Sequence, residues 1–217
     1  MSTLTDLPRD LQQAIARAAD VLRHGGLVVF PTDTVYGVGA LAWDVAAVQR
    51  IYTAKERPPD KPLQLMLARV EDMDAVAEVT PIARALAERF LPGGLTLVLR
   101  RKPNVPDAVT AGGETVAVRV PDHPIVRALV EALGAPLAAT SANRSGEPAP
   151  VDAEGARAQL GSRVEFVLDG GRCPQAKEST IVDVTTSPPQ VLREGAVPTA
   201  VIEAFLGQPL AVARSSS

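Results

Sequence analysis

The sequence is poor in cysteine, histidine and aromatic residues. Of its 217 residues, one is cysteine, two are histidine and 3% are aromatic. A single thiol, Cys173, excludes an internal disulfide and any multi-cysteine zinc site, and it fits a reducing compartment. His24 and His123 lie far apart without a partner motif, so a histidine-based metal site is not expected. Scarce aromatic rings also leave few platforms for stacking nucleic-acid bases.

Long apolar runs and an excess of positive charge are missing as well. No apolar run approaches about 18 residues, the length that a membrane-spanning helix requires, and no signal peptide is recognisable near the first residue. The net charge of −3 disfavours a protein that mainly coats nucleic acid, although its 22 Lys and Arg residues can still cluster locally. We therefore expect a cytoplasmic protein with no membrane partner.

The apolar residues that are present alternate between helical and strand patterns. Helical spacing recurs in residues 11–22, 45–55 and 123–133, and short apolar runs typical of strands occupy residues 27–30, 63–67, 95–99, 115–120 and 137–140. No helix is predicted between residues 99 and 115, a connection too short for a parallel crossover, so those two strands should be antiparallel. The sequence predicts an α/β fold: a single domain over residues 8–208 with a twisted, mixed parallel/antiparallel sheet flanked by helices, and a disordered tail at residues 209–217.

Residues Lys55–Lys61 combine three cations with two prolines. Because proline fixes φ and disfavours helix in the residue before it, Arg57–Lys61 is predicted to be a stiff, extended loop. Such a loop suits a phosphate-rich ligand, since arginine binds oxyanions as a planar fork and lysine as a movable point charge. The alternative is an ordinary solvated basic loop.

Compact polar elements also lie near several predicted strands: Thr32–Thr34, Thr115, Arg119, Ser141–Asn143, Ser179–Thr180 and Arg193. Each has a simpler interpretation, such as a turn or a strand residue that faces water. Taken together, they indicate a polyanion site. No Walker A motif is present, the glycine pair Gly37/Gly39 lacks the dinucleotide fingerprint, and neither Ser141 nor Ser179 has a histidine at triad spacing.

Six motifs in this order resemble the YrdC-type L-threonylcarbamoyladenylate synthases. They are Pro31–Gly37, Ala54–Pro58 with Lys61–Leu63, Leu91–Thr96, Val118–Pro121, Ser141–Gly146 and Glu178–Ile181. The resemblance implies a YrdC-like α/β twist with a concave basic face. It also implies a nucleotidyltransferase that joins L-threonine, bicarbonate and ATP, accompanied by Mg²⁺, into threonylcarbamoyl-AMP and releases pyrophosphate. The product would serve the threonylcarbamoyladenosine (t6A) modification of tRNA.

The resemblance also implies roles for individual residues. The threonine and bicarbonate pocket falls on Thr32, Arg119, Ala139 and Ser179, with Arg119 holding the threonine carboxylate. The ATP contacts fall on Lys55, Arg57, Pro59, Lys61, Thr115, Ser141, Asn143, Ala149 and Arg193. Lys55, Arg57 and Arg119 would be catalytic by stabilising charge, and no protein side chain is assigned to a metal.

The expected partners are the three substrates and a downstream tRNA-modifying threonylcarbamoyltransferase complex, with a weak direct contact to tRNA as a further possibility. Two other functions stay open. One is an RNA-binding module without catalysis, which the acidic composition and few aromatic residues disfavour. The other is a carbamoyladenylate-forming domain that serves a different acceptor.

Overall fold

The computed structural model describes residues 4–212, and the strands within that range form one mixed sheet. The strands are β1 (Val28–Phe30), β2 (Gly37–Leu41), β3 (Gln64–Met66), β4 (Ala77–Glu78), β5 (Leu95–Arg101), β6 (Thr115–Arg119), β7 (Leu137–Ser141), β8 (Phe166–Val167), β9 (Thr180–Asp183), β10 (Gln190–Arg193) and β11 (Ala211–Val212). Their order across the sheet is β11-β10-β9-β5-β6-β3-β7-β2-β1-β8, with β4 paired to β5. Four neighbouring pairs are parallel (β1/β8, β3/β6, β5/β9 and β10/β11), so the predicted mixed α/β sheet is confirmed.

Helices flank this sheet. They are α1 (Arg9–Arg23), α2 (Val45–Lys55), α3 (Met73–Val76), α4 (Pro81–Phe90), α5 (Asp107–Thr110), α6 (Pro124–Leu133), α7 (Ala153–Leu160) and α8 (Thr199–Leu206), with 3₁₀ turns at Leu4–Asp6, Val70–Asp72 and Gly161–Arg163. The Asp44 carboxylate accepts a hydrogen bond from the amide of Ala47 at 3.0 Å and so caps α2, as its position predicts. In the part of the chain that the structure describes, no helix is long and apolar enough to cross a membrane.

Two predicted loops contain regular structure. The second half of the predicted loop Thr32–Gly39 is β2, which forms an antiparallel hairpin with β1. A Cβ at Gly37 would lie 2.8 Å from the ring of Phe30, so the paired glycines make room for that ring within a strand. The connection between β5 and β6 contains the single-turn helix α5, which the sequence pattern did not predict, and the antiparallel pairing of these two strands is confirmed.

The predicted domain boundary at residue 208 is too early. Ala211 and Val212 pair with Gln190 and Val191 as a parallel edge strand, and the side chain of Leu210 is buried. An apolar segment directly after α8 covers the open edge of β10, and such coverage is a common protection for an edge strand. The rest of the predicted tail, residues 213–217, lies outside the described residues.

The two faces of the sheet are covered differently. One face packs along its length against a large apolar cluster that includes Leu97, Val118 and Val182. On the other face, α1 and α6 pack over β1 and β7 in a second cluster. Because side chains alternate along a strand, Thr96, Ala117 and Ile181 face away from the large cluster, and all three line a cavity beside the part covered by α1 and α6.

Candidate active site

A cavity of about 250 Å³ opens over strands β3, β5, β6 and β9. Six predicted site residues line it: Arg57, Arg119, Ala139, Ser141, Ser179 and Arg193. These residues come from segments more than a hundred positions apart in the sequence, so the sheet topology brings them together. Convergence of polar groups in one concave site is the usual arrangement of a ligand pocket.

Arg119 lines this cavity. The simpler interpretation of a strand residue that faces water does not hold, because the side chain is 2% exposed and forms an ion pair with Asp33 at 2.6 Å. Arg119 Nε donates to the carbonyl of Gly93 at 3.0 Å, and Nη1 donates to Thr34 Oγ1 at 2.8 Å. Three of its five N–H groups are thereby used, which leaves two for a ligand.

Asp33 is in turn fixed by its neighbours. Its Oδ1 also accepts from the amide of Asp122 at 3.1 Å, and its Oδ2 accepts from Gln175 Nε2 at 3.3 Å. Burial lowers the pKa of Arg119, and the Asp33 carboxylate opposes that shift by favouring the charged guanidinium. The pair therefore presents a guanidinium of fixed orientation to the cavity.

Thr32 is not among the residues that line the cavity. Its hydroxyl donates to the carbonyl of Val35 at 2.6 Å and accepts from the amides of Thr34 and Val35 at 3.1 and 3.2 Å. These bonds hold the turn between β1 and β2 in one conformation. Thr34, which the turn positions, is the threonine whose side chain reaches the cavity wall and Arg119.

Lys55 ends α2 and lies behind the cavity wall. Its ammonium donates to the carbonyls of Ser141 and Asn143, and the side chain is 1% exposed. Burial, reinforced by the charge of Arg57, lowers its pKa to about 7, and Glu178 acts in the opposite direction. Arg57 and Glu178 both line the cavity, so Lys55 is electrostatically coupled to it. No carboxylate within the described range is bonded to this ammonium.

The basic loop after Lys55 is turned rather than extended. The amide of Lys61 donates to the carbonyl of Pro58 at 3.2 Å, which closes a turn. Arg57 lies on the inside of this turn, where Nε donates to the carbonyl of Lys61 at 3.1 Å and Nη2 donates to that of Pro62 at 2.9 Å. The loop therefore folds around its own arginine and presents it to the cavity, while Pro59 and Lys61 stay exposed.

Arg193 also lines the cavity. Its Nη1 donates to Glu178 Oε1 at 2.7 Å, and Nε and Nη2 donate to the carbonyl of Ser179 at 3.1 and 2.9 Å. The side chains of Arg193 and Glu178 are 38% and 39% exposed, so this pair is hydrated. A Cβ at Gly195 would lie 2.2 Å from the carbonyl oxygen of Glu178, and glycine there allows the two segments to approach closely.

Several predicted residues besides Thr32 are absent from the cavity wall: Lys55, Pro59, Lys61, Thr115, Asn143 and Ala149. Asn143 organises the turn that binds Lys55, because its Nδ2 donates to the carbonyl of Glu147 at 2.7 Å. Thr115 lies on the same face of the sheet as Arg119, but it is the first residue of β6 whereas Arg119 is the last. No group of three or more His, Cys, Asp or Glu suited to a metal ion occurs among the residues with described positions.

A family model for Sua5, YciO and YrdC proteins, described as "Telomere recombination", matches residues 20–195. The chain belongs to the Sua5/YciO/YrdC family. The threonylcarbamoyl-AMP synthase of Pyrococcus abyssi is 45% identical over 88% of this chain and 56% of its own length. The putative threonylcarbamoyl-AMP synthase of Mycobacterium tuberculosis strain H37Rv is 41% identical over 92% of both chains.

The fold of this family member also matches solved structures. The crystal structure of P. abyssi Sua5 complexed with L-threonine superposes with a TM-score of 0.89 at 44% identity, covering 92% of this chain and 58% of that one. The chain therefore spans little more than half the length of its archaeal relative.

The sequence interpretation assigned no individual role to several residues of the site: Asp33, Thr34, Gln64, Thr96 and Glu178. All but Asp33 line the cavity, and Asp33 is the counter-ion of Arg119. Asp33, Thr34 and Glu178 adjoin predicted site residues in the sequence, so their positions within the motifs were a usable signal. Gln64 and Thr96 lie in predicted strands whose other residues are apolar. Only the face of the sheet on which they lie identifies them as site residues.

Proposed function

We propose that this chain is an L-threonylcarbamoyladenylate synthase, a nucleotidyltransferase that converts L-threonine, bicarbonate and ATP into threonylcarbamoyl-AMP and pyrophosphate. The observation that carries the proposal is the single cavity lined by the three cations Arg57, Arg119 and Arg193. Several cations around one cavity suit two anionic substrates, an amino acid carboxylate and a polyphosphate. The synthase names of its relatives support the same activity.

In this proposal threonine binds beside Arg119. The two remaining N–H groups of Arg119 would receive the threonine carboxylate, and the backbone of Ala139 would contact the amine. Ser179 and Thr34 complete the wall, while Thr32 acts through the turn that positions Thr34. The buried Asp33 keeps Arg119 charged and oriented, so little reorganisation is needed when the substrate binds.

The phosphates of ATP would bind beside Arg57 and Arg193. Ser141 lines the same cavity, and Lys55 adds positive charge from behind Ser141. The threonine amine attacks bicarbonate to give a carbamate and water, and a carbamate oxygen then attacks the α-phosphorus with release of pyrophosphate. Catalysis would rest on proximity and charge stabilisation, with Lys55, Arg57 and Arg119 as catalytic residues.

The remaining predicted contacts belong to the parts of ATP outside the cavity. Pro59, Lys61, Thr115, Asn143 and Ala149 are proposed to contact it there. Mg²⁺ usually binds through substrate phosphates, waters and one or two carboxylates. In this proposal Mg²⁺ accompanies ATP, no side chain of the protein is assigned to it, and it would supply further neutralisation of phosphate charge.

The proposal extends to the setting of the reaction. Residues from about 8 to 212 would form one catalytic domain that works in the cytoplasm. Its product would pass to a threonylcarbamoyltransferase complex that modifies tRNA, with at most weak direct contact between this chain and tRNA.

Pyrophosphate release by the pure chain tests this function. The protein is incubated with ATP, Mg²⁺ and bicarbonate, with and without L-threonine, and threonylcarbamoyl-AMP is identified by mass spectrometry. We expect pyrophosphate only when threonine and bicarbonate are both present. Release that ignores threonine, or steeply salt-dependent RNA binding without any release, would contradict the proposal.

A further inference from the structure

Gln64 occupies a central position in the floor of the cavity. It is the first residue of β3, and its register partners are Ala117 on β6 and Ala139 on β7. Because both neighbours are alanines, the longer glutamine side chain stands above them. Arg119 follows Ala117 by two residues on the same face of the sheet, so Gln64 lies beside the part of the cavity proposed for threonine.

A chain of hydrogen bonds with a defined direction ends at Gln64. Arg193 Nη2 donates to Ser179 Oγ at 3.3 Å, and Ser179 Oγ lies 2.8 Å from Thr96 Oγ1. The single hydroxyl hydrogen of Thr96 goes to Gln64 Oε1 at 3.1 Å. Thr96 must therefore accept from Ser179, and the hydroxyl hydrogens of both residues are used inside the chain.

This direction leaves the amide nitrogen of Gln64 as the donor at this position. Its oxygen is occupied by Thr96, and its two N–H groups have no hydrogen-bond partner within residues 4–212. Ser179 and Thr96 can still accept a hydrogen bond but have none to give. A substrate oxygen that lies above this part of the cavity floor can therefore accept a hydrogen bond from the amide nitrogen of Gln64.

We propose that Gln64 determines substrate specificity by donating a hydrogen bond to the side-chain hydroxyl oxygen of the amino acid. This inference rests on the proposed function. The charged Arg119 is the stronger partner for the carboxylate, whereas a neutral amide suits a neutral hydroxyl. A site built to bond a hydroxyl discriminates against an analogue that lacks it.

The test compares L-threonine with L-2-aminobutyrate, which has the same carbon skeleton without the hydroxyl. Binding of each to the full chain is measured by calorimetry, and kcat/KM is measured from pyrophosphate release. Gln64→Met keeps the length of the side chain and removes the donor. We expect about a tenfold or larger loss of the preference for threonine, with 2-aminobutyrate binding unchanged.

Two further variants complete the test. Gln64→Glu can still accept from Thr96 but has no N–H, so it should lose the preference as Gln64→Met does. Gln49→Met makes the same exchange on the exposed side of α2 and should keep wild-type preference. Thermal unfolding checks that all variants are folded.

Other outcomes would overturn the inference. Equal losses for both amino acids would mean that Gln64 serves the carboxylate or carbamate instead, and an unchanged preference in Gln64→Met or Gln64→Glu would mean that it serves neither. Failure of the proposed function is distinguishable, because it shows in the wild-type chain as absence of threonine binding and of threonine-dependent pyrophosphate release.

Discussion

Two buried cations belong to the proposed site, Arg119 in the cavity wall and Lys55 behind it, and the protein stabilises them in different ways. Arg119 is bonded to the carboxylate of Asp33, whereas Lys55 is bonded to neutral carbonyl oxygens of the Ser141–Asn143 turn. A buried charge without a counter-ion is costly. Arg119 therefore has its counter-ion within the protein, whereas Lys55 has none among the described residues, and we expect an anion from solution to supply it. In our proposal that anion is the phosphate chain of ATP.

The largest expected effect concerns Arg119. Arg119→Met would leave Asp33 buried without its partner, which typically lowers the free energy of unfolding by about 3–5 kcal/mol. It should also abolish threonine binding, as measured by calorimetry. In the double variant Arg119→Met, Asp33→Asn we expect most of the stability to return without threonine binding. If Arg119→Met alone unfolds at the wild-type denaturant concentration, the ion pair does not hold the β1–β2 turn against β6.

In contrast to Arg119→Met, Lys55→Met should lower activity without lowering stability. Removing a buried cation that has no carboxylate partner is expected to leave the free energy of unfolding unchanged or to raise it. Pyrophosphate release should nevertheless fall on the order of 100-fold, since a positioning charge is lost. The exposed Lys177→Met is the matched control and should stay near wild-type rates. Equal rates in both variants would remove Lys55 from the mechanism.

The pH dependence of stability gives a smaller and more specific test. Burial lowers the pKa of Lys55 from its ordinary 10.5 to about 7. Between these values the unfolded chain binds the extra proton, so the contribution of Lys55 to the free energy of unfolding rises with pH, by at most about 1.4 kcal/mol per unit. Urea unfolding of wild type and Lys55→Met across this range should show the slope in the difference. A difference that stays flat would contradict the lowered pKa.

The smallest effect on stability is expected at the hydrated pair of Arg193 and Glu178. Because both side chains are more than a third exposed, Arg193→Met should change the free energy of unfolding by less than about 1 kcal/mol. Its effect should fall on nucleotide affinity, which we expect to weaken about tenfold while threonine affinity is retained. Equal weakening of both ligands would show that Arg193 does not serve the nucleotide alone.

Sequence reasoning reached the mixed sheet and six residues that meet in the cavity, five polar residues and Ala139, because motifs and strand patterns are local signals. It did not reach the identity of the partners. Asp33 was visible beside Thr32, but only the packing of the β1–β2 turn against β6 makes it the counter-ion of Arg119. Gln64 and Thr96 interrupt apolar strands, and their common sheet face depends on a register that the sequence does not display.

Strand β2 is another element whose structure depends on a tertiary contact that the local sequence does not indicate. The pattern of Gly37 and Gly39 predicts a loop. The ring of Phe30, which these glycines accommodate, lies on the neighbouring strand and is not apparent from the local sequence. The short strand β11 likewise falls within the predicted tail. Its pairing with β10 is a tertiary contact, which the local sequence does not indicate. Local propensity is a weak guide wherever a tertiary contact determines the structure.

The contrast between Arg119, which has a counter-ion, and Lys55, which has none among the described residues, is tested most directly by proton uptake on nucleotide binding. An arriving phosphate should raise the pKa of Lys55 from about 7, because a nearby negative charge favours the ammonium. Calorimetry of ATP binding at about pH 8, in buffers of different ionisation enthalpy, then measures the uptake. We predict that wild type takes up a fraction of a proton more than Lys55→Met does. Equal uptake by the two proteins would contradict the account.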